Sequence, residues 1–369
     1  MIRVLQCVNN MHRAGLETVL MNYYRNIDRT QIQFDFLTHR PERDDYDDEI
    51  EALGGRIYRA PRLYPQNYPA YFRFMKQFFA EHPEYEIVHS HIDSMSYLPL
   101  LAAKKAGIPI RISHSHNSSL DKDLKYALKQ YFRHRIPTVA NYYWACGEKA
   151  GEFLFRRMPF TVIPNAIDPV AFRYDADVRK KKREELGLGD QFTVGHIGRF
   201  SQQKNHNFLI EIFSQILKAE PNAVLLLAGK GEKEAQIREK VHTLGIGENV
   251  RFLGSRSDVN ELYQAMDVFV MPSRFEGIPM VGIEAQFSGL PCVFSDKVPE
   301  ETVFADTCRF VELNQSAQQW AAQVLEAGKT RPEQSPVSET YDIRYAHKLL
   351  EKHYLDLHSQ CVEKKVIQV

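Results

Sequence analysis

Apolar runs of strand length alternate with amphipathic stretches of helix length along nearly the whole chain, and this alternation constrains the fold most. In the first half, strands are expected at Arg3–Val8, Gln33–Leu37, Gly55–Tyr58, Ile87–Ser90, Ile110–Ser113, Thr138–Ala145 and Phe160–Ile163. Helices fit between them at Gly15–Tyr24, Asp47–Leu53, Tyr68–Glu81, Met95–Ala106, Asp121–His134 and Lys149–Arg157. Strands separated by helices of this length imply βαβ units and parallel sheets. After the turn-rich break Ile163–Pro169 and a basic helix at Val178–Leu186, the alternation resumes. Its strands are expected at Thr193–His196, Ala223–Ala228, Val250–Leu253, Val268–Met271 and Cys292–Ser295. The polar segment Arg331–Glu339, holding Pro332 and Pro336, reads as a surface connector to a last helix at Arg344–His358.

A chain of 369 residues exceeds one ordinary core, so two domains are expected. The boundaries are placed at 1–168 and 169–343, with a C-terminal helix over 344–369 packing back towards the first domain. Each half is long enough to be a doubly wound α/β domain, which binds its ligand outside the carboxyl ends of the strands. Formal net charge is zero, which argues against a general nucleic-acid binder. No apolar stretch reaches the length that spans a bilayer, and the start MIRVLQCVNNMHRAG turns polar too soon for a signal peptide. The five cysteines are scattered with no CxxC pair, a pattern of a reducing cytoplasm that supports neither a disulfide framework nor a zinc site.

Two strand-to-helix corners in the second half carry the chemistry. Val268–Met271 ends at Pro272-Ser273, and Gly277 and Pro279 then lead into a helix stopped by Gly289-Leu290-Pro291. Glu276 lies in that loop and Glu284 in the early helical turns, eight positions apart. Between them, backbone N–H groups and the positive end of the helix dipole are free to bind an anion. Upstream, the strand ending at Gly198 is followed by Arg199-Phe200-Ser201-Gln202-Gln203-Lys204 and a strongly amphipathic helix carrying Phe208, Leu209, Ile212, Phe213, Ile216 and Leu217. Two cations at such a mouth can clamp a diphosphate, and Ser201 or Asn205 stands where a helix cap is needed.

Taken in order, G-R-F-x-x-x-K, A-G-K-G, V-R-F-L-G, D-V-F-V-x-P-S and E-G-I-P-x-x-x-x-E resemble the retaining family 4 glycosyltransferases of the GT-B fold. Met11–Thr18 resembles that family's glycine-rich first loop, and Ile163-Pro164-Asn165 its interdomain crossing. The phrasing MNYYRNIDR, FDFLTHR and ISHSHN is closest to bacterial exopolysaccharide and capsule transferases. The resemblance implies a GT-B architecture, two Rossmann-like parallel-sheet domains facing each other across a cleft. It implies a retaining, metal-independent hexosyltransferase, with a nucleotide-diphosphate sugar, expected to be a UDP-sugar, as co-substrate and no cofactor. The acceptor would be a hydroxyl of a growing, lipid-linked exopolysaccharide or capsule oligosaccharide.

Carried over by residue, Glu284 would hold the donor ribose and Glu276 the hydroxyls of the transferred sugar. Arg199 and Lys204 would neutralise the departing diphosphate, with support from amides around Gly277, Ile278, Pro279, Met280 and Val281. His116 sits where the family places an active-site histidine, and Gly15 and Gly198 would let backbone approach the donor closely. Ser255 and Arg256 are candidate base-reading residues. The first loop departs from the family pattern, with Ala14-Gly15 where many relatives have two glycines; Ala tolerates a positive φ poorly.

Other readings compete. A nucleotide-sugar epimerase of similar fold would isomerise the donor without an acceptor, and a nucleotide-sugar-binding regulator would keep the fold without turnover. Gly229-Lys230-Gly231 does not continue to a dinucleotide-binding fingerprint. The pairs His89/His91 and His114/His116 suggest a metal site, but polar residues lining a cleft account for them equally well. Asp45-Tyr46-Asp47 and Asp121-Lys122-Asp123 match a DxD metal pattern and are read as solvated surface loop. The basic and aromatic segment Asp121–Arg135 could lie on an anionic membrane, which would place a cytoplasmic protein peripherally at the inner face of the cell membrane; a solvated helix with one buried side is the competing reading.

Overall fold

The computed structural model describes residues 1–119, 126–332 and 334–367, the last four by backbone alone. Two compact units emerge: Met1–Ile167 with Glu339–Val369, and Asp168–Ser338. The first contains seven parallel strands, β1 (Ile2–Cys7), β2 (Ile32–Thr38), β3 (Ile57–Arg59), β4 (Tyr85–Ser90), β5 (Ile110–Ser115), β6 (Tyr142–Ala145) and β7 (Thr161–Val162), in the order β3-β2-β1-β4-β5-β6-β7. The second contains six, β8 (Thr193–Ile197), β9 (Val224–Ala228), β10 (Val250–Gly254), β11 (Val268–Met271), β12 (Cys292–Ser295) and β13 (Cys308–Val311), in the order β10-β9-β8-β11-β12-β13. Both sheets reverse their winding once, between β1 and β4 and between β8 and β11. Loops leaving the strands on either side of such a reversal diverge and open a crevice.

The second unit shows why the pattern folds this way. Leu225 and Leu227 of β9 join one apolar cluster, with Leu209, Phe213 and Ile216 of the helix His206–Ala219 and with Trp320. Val224, Leu226 and Ala228 join the opposite cluster, with Tyr263, Met266 and Ala285. A run buried on both faces therefore needs no polar alternation. In the first unit the final helix, Ile343–Ile367, packs against the helix Gly15–Asn26 and β5. The Asp28 amide donates to Glu351 Oε1 at 2.6 Å, and Ile167 bridges to Asp342.

Several expectations need correction. The strand expected at Thr138–Ala145 begins only at Tyr142; a 3₁₀ turn occupies Ile136–Thr138, where Pro137 lacks the N–H a ladder needs. Strand β13 was missed because it is four residues long and exposes Arg309 and Phe310. Ala14 is extended at φ −132°, so no strain attends the missing glycine. Tyr46 and Asp47 are buried, with Asp47 ion-paired to Arg59, so that triplet is not a solvated loop. The other triplet and the start of the basic helix lie outside the described residues; the described part spans Tyr126–Arg135. The Arg331–Glu339 connector is anchored, because Arg331 donates to the carbonyls of Tyr263, Gln264, Met266 and Ser288 and lies over the Tyr174 ring.

Candidate active site

The loops that follow β8 and β11 flank the reversal of the second sheet, and their side chains tie them together. Lys204 Nζ donates to Glu276 Oε1 at 2.7 Å, and Gln203 Nε2 donates to Glu276 Oε2 at 3.1 Å. The Arg274 amide donates to the Gln203 carbonyl at 2.8 Å, and Asn205 Nδ2 to the Pro272 carbonyl at 3.1 Å. Neither Ser201 nor Asn205 caps the next helix: Asn205 holds the cap position, but at φ 56° its amide is spent on the β11 loop. Asparagine tolerates this left-handed geometry better than most residues.

Glycines let the β9 loop close the floor. Gly229 has φ +138°, and a Cβ there would fall 2.1 Å from the Gly198 carbonyl oxygen. At Gly231 a Cβ would meet the Phe200 backbone at 2.4 Å. The A-G-K-G run is thus a packing device beneath the Gly198–Phe200 turn.

Below this turn lie two histidines that sequence reasoning passed over. His196 Nδ1 contacts the Val270 carbonyl at 2.7 Å, while His196 Nε2 and both ring nitrogens of His206 are buried without a hydrogen-bond partner. Burial, reinforced by nearby Lys204, pushes both imidazoles well below their usual range, to about 4 for His196. They present a neutral bed under a charged loop. Gln203 was also passed over, since a lone glutamine in a loop carries no pattern.

Glu276 is 4% and Glu284 8% exposed. Tyr263 Oη donates to Glu284 Oε2 at 2.8 Å. Burial pushes the Glu284 carboxyl up to about 7, and the tyrosine bond offsets this only in part. Glu284 sits in the helix Met280–Phe287, whose N-terminus follows Pro279 with no side-chain cap. First-turn amides have no intrahelical acceptor, so the amides of Met280 and Val281 present donors between the two carboxylates. Arg199 is different: its side chain is 73% exposed and reaches Glu232 at 3.1 Å. Arg256 is held by Asp258 through bonds of 2.7 and 2.6 Å, and Ser255 is exposed.

Gly15 and His116 belong to the first unit. Gly15 opens the helix Gly15–Asn26. His116 Nε2 contacts His91 Nδ1 at 3.0 Å, and its amide donates to Asp93 Oδ1 at 2.9 Å. His89, His91 and His114 are 2–4% exposed, so the paired histidines form a buried stack and do not line an open surface. Burial holds all four imidazoles below their ordinary range, His116 at about 3.

A buried lysine–glutamate pair beside an uncapped helix N-terminus, at the reversal of a parallel sheet, suits a phosphate-bearing ligand rich in hydroxyls. Comparison with known proteins agrees. The family described as Glycosyltransferase Family 4 matches residues 13–170, and Glycosyl transferases group 1 matches residues 178–340. EpsF of Bacillus subtilis (strain 168), named as a glycosyltransferase, is 35% identical over 92% of this chain and 91% of its own length. CapH of Staphylococcus aureus, a capsular polysaccharide biosynthesis glycosyltransferase, is 25% identical over 77% of this chain and 79% of its own. Anabaena Alr3699/HepE, solved in complex with UDP and glucose, matches with a TM-score of 0.77 at 17% identity, covering 99% of this chain and all of the other. Sucrose-phosphate synthase from Thermosynechococcus elongatus matches with a TM-score of 0.73 at 18% identity, over 98% of this chain and all of the other. The fold shared with them is GT-B.

Proposed function

The chain belongs to glycosyltransferase family 4, and from that premise we propose that it moves a hexose from a UDP-sugar to a hydroxyl of a lipid-linked exopolysaccharide or capsule intermediate, with retention and without a metal. Glycosyl transfer is the activity of its family, and CapH carries it out in capsular polysaccharide biosynthesis; donor, acceptor and stereochemistry are our reading. HepE was solved with UDP-glucose, and an Escherichia coli relative 28% identical over 58% of this chain and 58% of its own is a UDP-Gal:alpha-D-GlcNAc-diphosphoundecaprenol galactosyltransferase. Both support a UDP donor, and the second supports a lipid-diphosphate acceptor.

The Lys204–Glu276 pair carries the proposal. As the bond from the anomeric carbon to the diphosphate breaks, charge builds on the leaving oxygens, and fixed donors aimed there lower the barrier. Lys204, Arg199 and the amides at the start of Met280–Phe287 supply them. Glu276, oriented by Lys204 and Gln203, accepts hydroxyls of the transferred sugar, while Glu284 accepts those of the ribose. The acceptor oxygen bonds to the anomeric carbon on the face the diphosphate leaves, and its proton passes to that diphosphate.

Among the described residues, no helix is long and apolar enough to cross a membrane. Tyr126 and Tyr131 are exposed on Tyr126–Arg135, with Lys129 and Arg135 nearby, which supports peripheral contact at the inner membrane face of a cytoplasmic enzyme. Arg133 instead covers the Phe153 ring at 4.3 Å.

Thermal shift against UDP-, GDP- and ADP-sugars tests the donor, because a ligand of the native state raises its apparent stability. Product analysis with and without membrane extract then separates transfer from epimerisation. We expect a UDP-sugar to stabilise and a product that needs the extract. Stabilisation by no nucleotide sugar, or a changed sugar without acceptor, sinks the reading.

A further inference from the structure

We propose that His89, His91 and His114 form a binding site for a divalent transition-metal ion of the zinc class, within the first unit. His89 lies on β4, His91 just beyond it and His114 on β5, so adjacent parallel strands deliver the rings to one place. One ring nitrogen from each lies within 4.8 Å of the other two. Three points so spaced have a common centre no more than about 2.8 Å away, against a zinc–imidazole distance of roughly 2.0–2.1 Å. Side-chain torsions alone cover that difference.

The outward nitrogens are already occupied. Tyr354 Oη contacts His89 Nδ1 at 2.6 Å, and His91 Nε2 contacts Gln6 Oε1 at 2.8 Å. Gln6 Nε2 donates in turn to Tyr354 Oη at 3.2 Å. Metal-bound imidazoles are typically oriented in this way by a partner on the far nitrogen. With both outer nitrogens protonated, the inner lone pairs of His89 and His91 face the cluster. His89 Nε2 and His114 Nδ1 then oppose each other at 3.1 Å, and His114 Nε2 is buried with no hydrogen-bond partner. An unmet lone pair at this depth is costly, and an ion taken by His114 Nε2 would meet it. His116 Nε2 lies 3.0 Å from His91 Nδ1, at the edge of the set.

Donor chemistry selects the occupant. The cavity bordered by these rings is also lined by Val19, Leu20 and Phe34. Imidazole donors without a carboxylate favour zinc, cobalt or nickel over magnesium or calcium. The ion would fasten β4 and β5 to the final helix through Tyr354.

The test uses tag-free, full-length protein stripped with a chelator. Titration with Co²⁺ should produce visible d–d bands that saturate at about one equivalent, yield to Zn²⁺ and ignore Mg²⁺. X-ray absorption of the zinc-loaded wild type should show outer-shell scattering from at least three imidazoles. Tyr354→Phe, which leaves all three ligands in place, should weaken Co²⁺ binding about 10- to 100-fold. Absence of Co²⁺ uptake by the wild type, or a zinc shell with fewer than three imidazoles, overturns the site. So does unchanged affinity in a folded His89→Gln/His114→Gln variant. None of these outcomes bears on the donor assignment.

Discussion

The ammonium of Lys204 and the carboxylate of Glu276 meet at 2.7 Å although 72 positions separate them in sequence, and their side chains are only 15% and 6% exposed. The contact joins the two loops that diverge from the sheet reversal. Little water reaches the pair, so Lys204 supplies the counter-charge that the buried Glu276 carboxylate needs. A donor bringing phosphate oxygens to Lys204 and sugar hydroxyls to Glu276 would offer both a second partner.

Breaking this pair from one side should therefore damage stability and turnover together. Lys204→Met is expected to cost about 3 kcal/mol by removing the counter-charge of a buried carboxylate, and to lower transfer by roughly 100-fold or more. In Lys204→Met/Glu276→Gln the stability should largely return while transfer stays low. Urea melts and single-turnover assays of the set decide this, and a double variant as unstable as the single removes the argument.

Arg199 should behave in the opposite way. Its side chain is 73% exposed and its partner Glu232 51% exposed, and exposed pairs contribute little to folding. Arg199→Ala should leave the urea midpoint unchanged yet reduce transfer at least about 10-fold, as a lost diphosphate contact does. Glu232→Gln frees the guanidinium and should tighten UDP binding modestly, as read by calorimetry.

Glu284 predicts a pH dependence. Burial raises its carboxyl to about 7 in the folded chain, against roughly 4.3 when unfolded. Between those values the folded state binds more protons, so stability falls as pH rises through this window and levels off above it. Glu284→Gln lacks the penalty and should gain on the wild type by on the order of 3 kcal/mol between pH 4 and pH 8. Melts of both proteins across that range provide the check. Ribose hydroxyls that donate to the carboxylate would favour its charged form, so UDP binding near pH 6.5 should release a proton, visible as a buffer-dependent enthalpy.

Gly229 offers a structural control. A Cβ there would sit 2.1 Å from the Gly198 carbonyl oxygen, at a φ of +138° that side chains rarely adopt. Gly229→Ala should destabilise by about 1–3 kcal/mol or more and weaken UDP binding, because the floor must move. Gly245→Ala shares the positive φ but has nothing within 4 Å, and should lower stability without touching UDP affinity. Equal UDP affinity in both variants would place the β9 loop outside the site.

Much of the fold was legible because its strands are short, apolar and evenly interrupted by helices. Val268–Met271 and Cys292–Ser295 end where their hydrophobic runs end. Edge elements were harder to see, since β13 exposes half its residues and has no continuous apolar run. The loops after β8 and β11 were legible as motifs, through Arg199, Lys204, Glu276 and Glu284, but not as a network. Gln203 and the neutral pair His196 and His206 carry no periodic signal.

Local chemistry along the chain determined two rounds of strand and helix and the residue types at each loop, because hydrophobic period and turn residues act over a few positions. Tertiary structure decided which of those residues meet. It paired Lys204 with Glu276, left Arg199 in solvent and gathered four histidines from two strand ends into one buried stack. Strand order and burial set those distances and desolvation costs, and both depend on contacts between segments far apart in sequence.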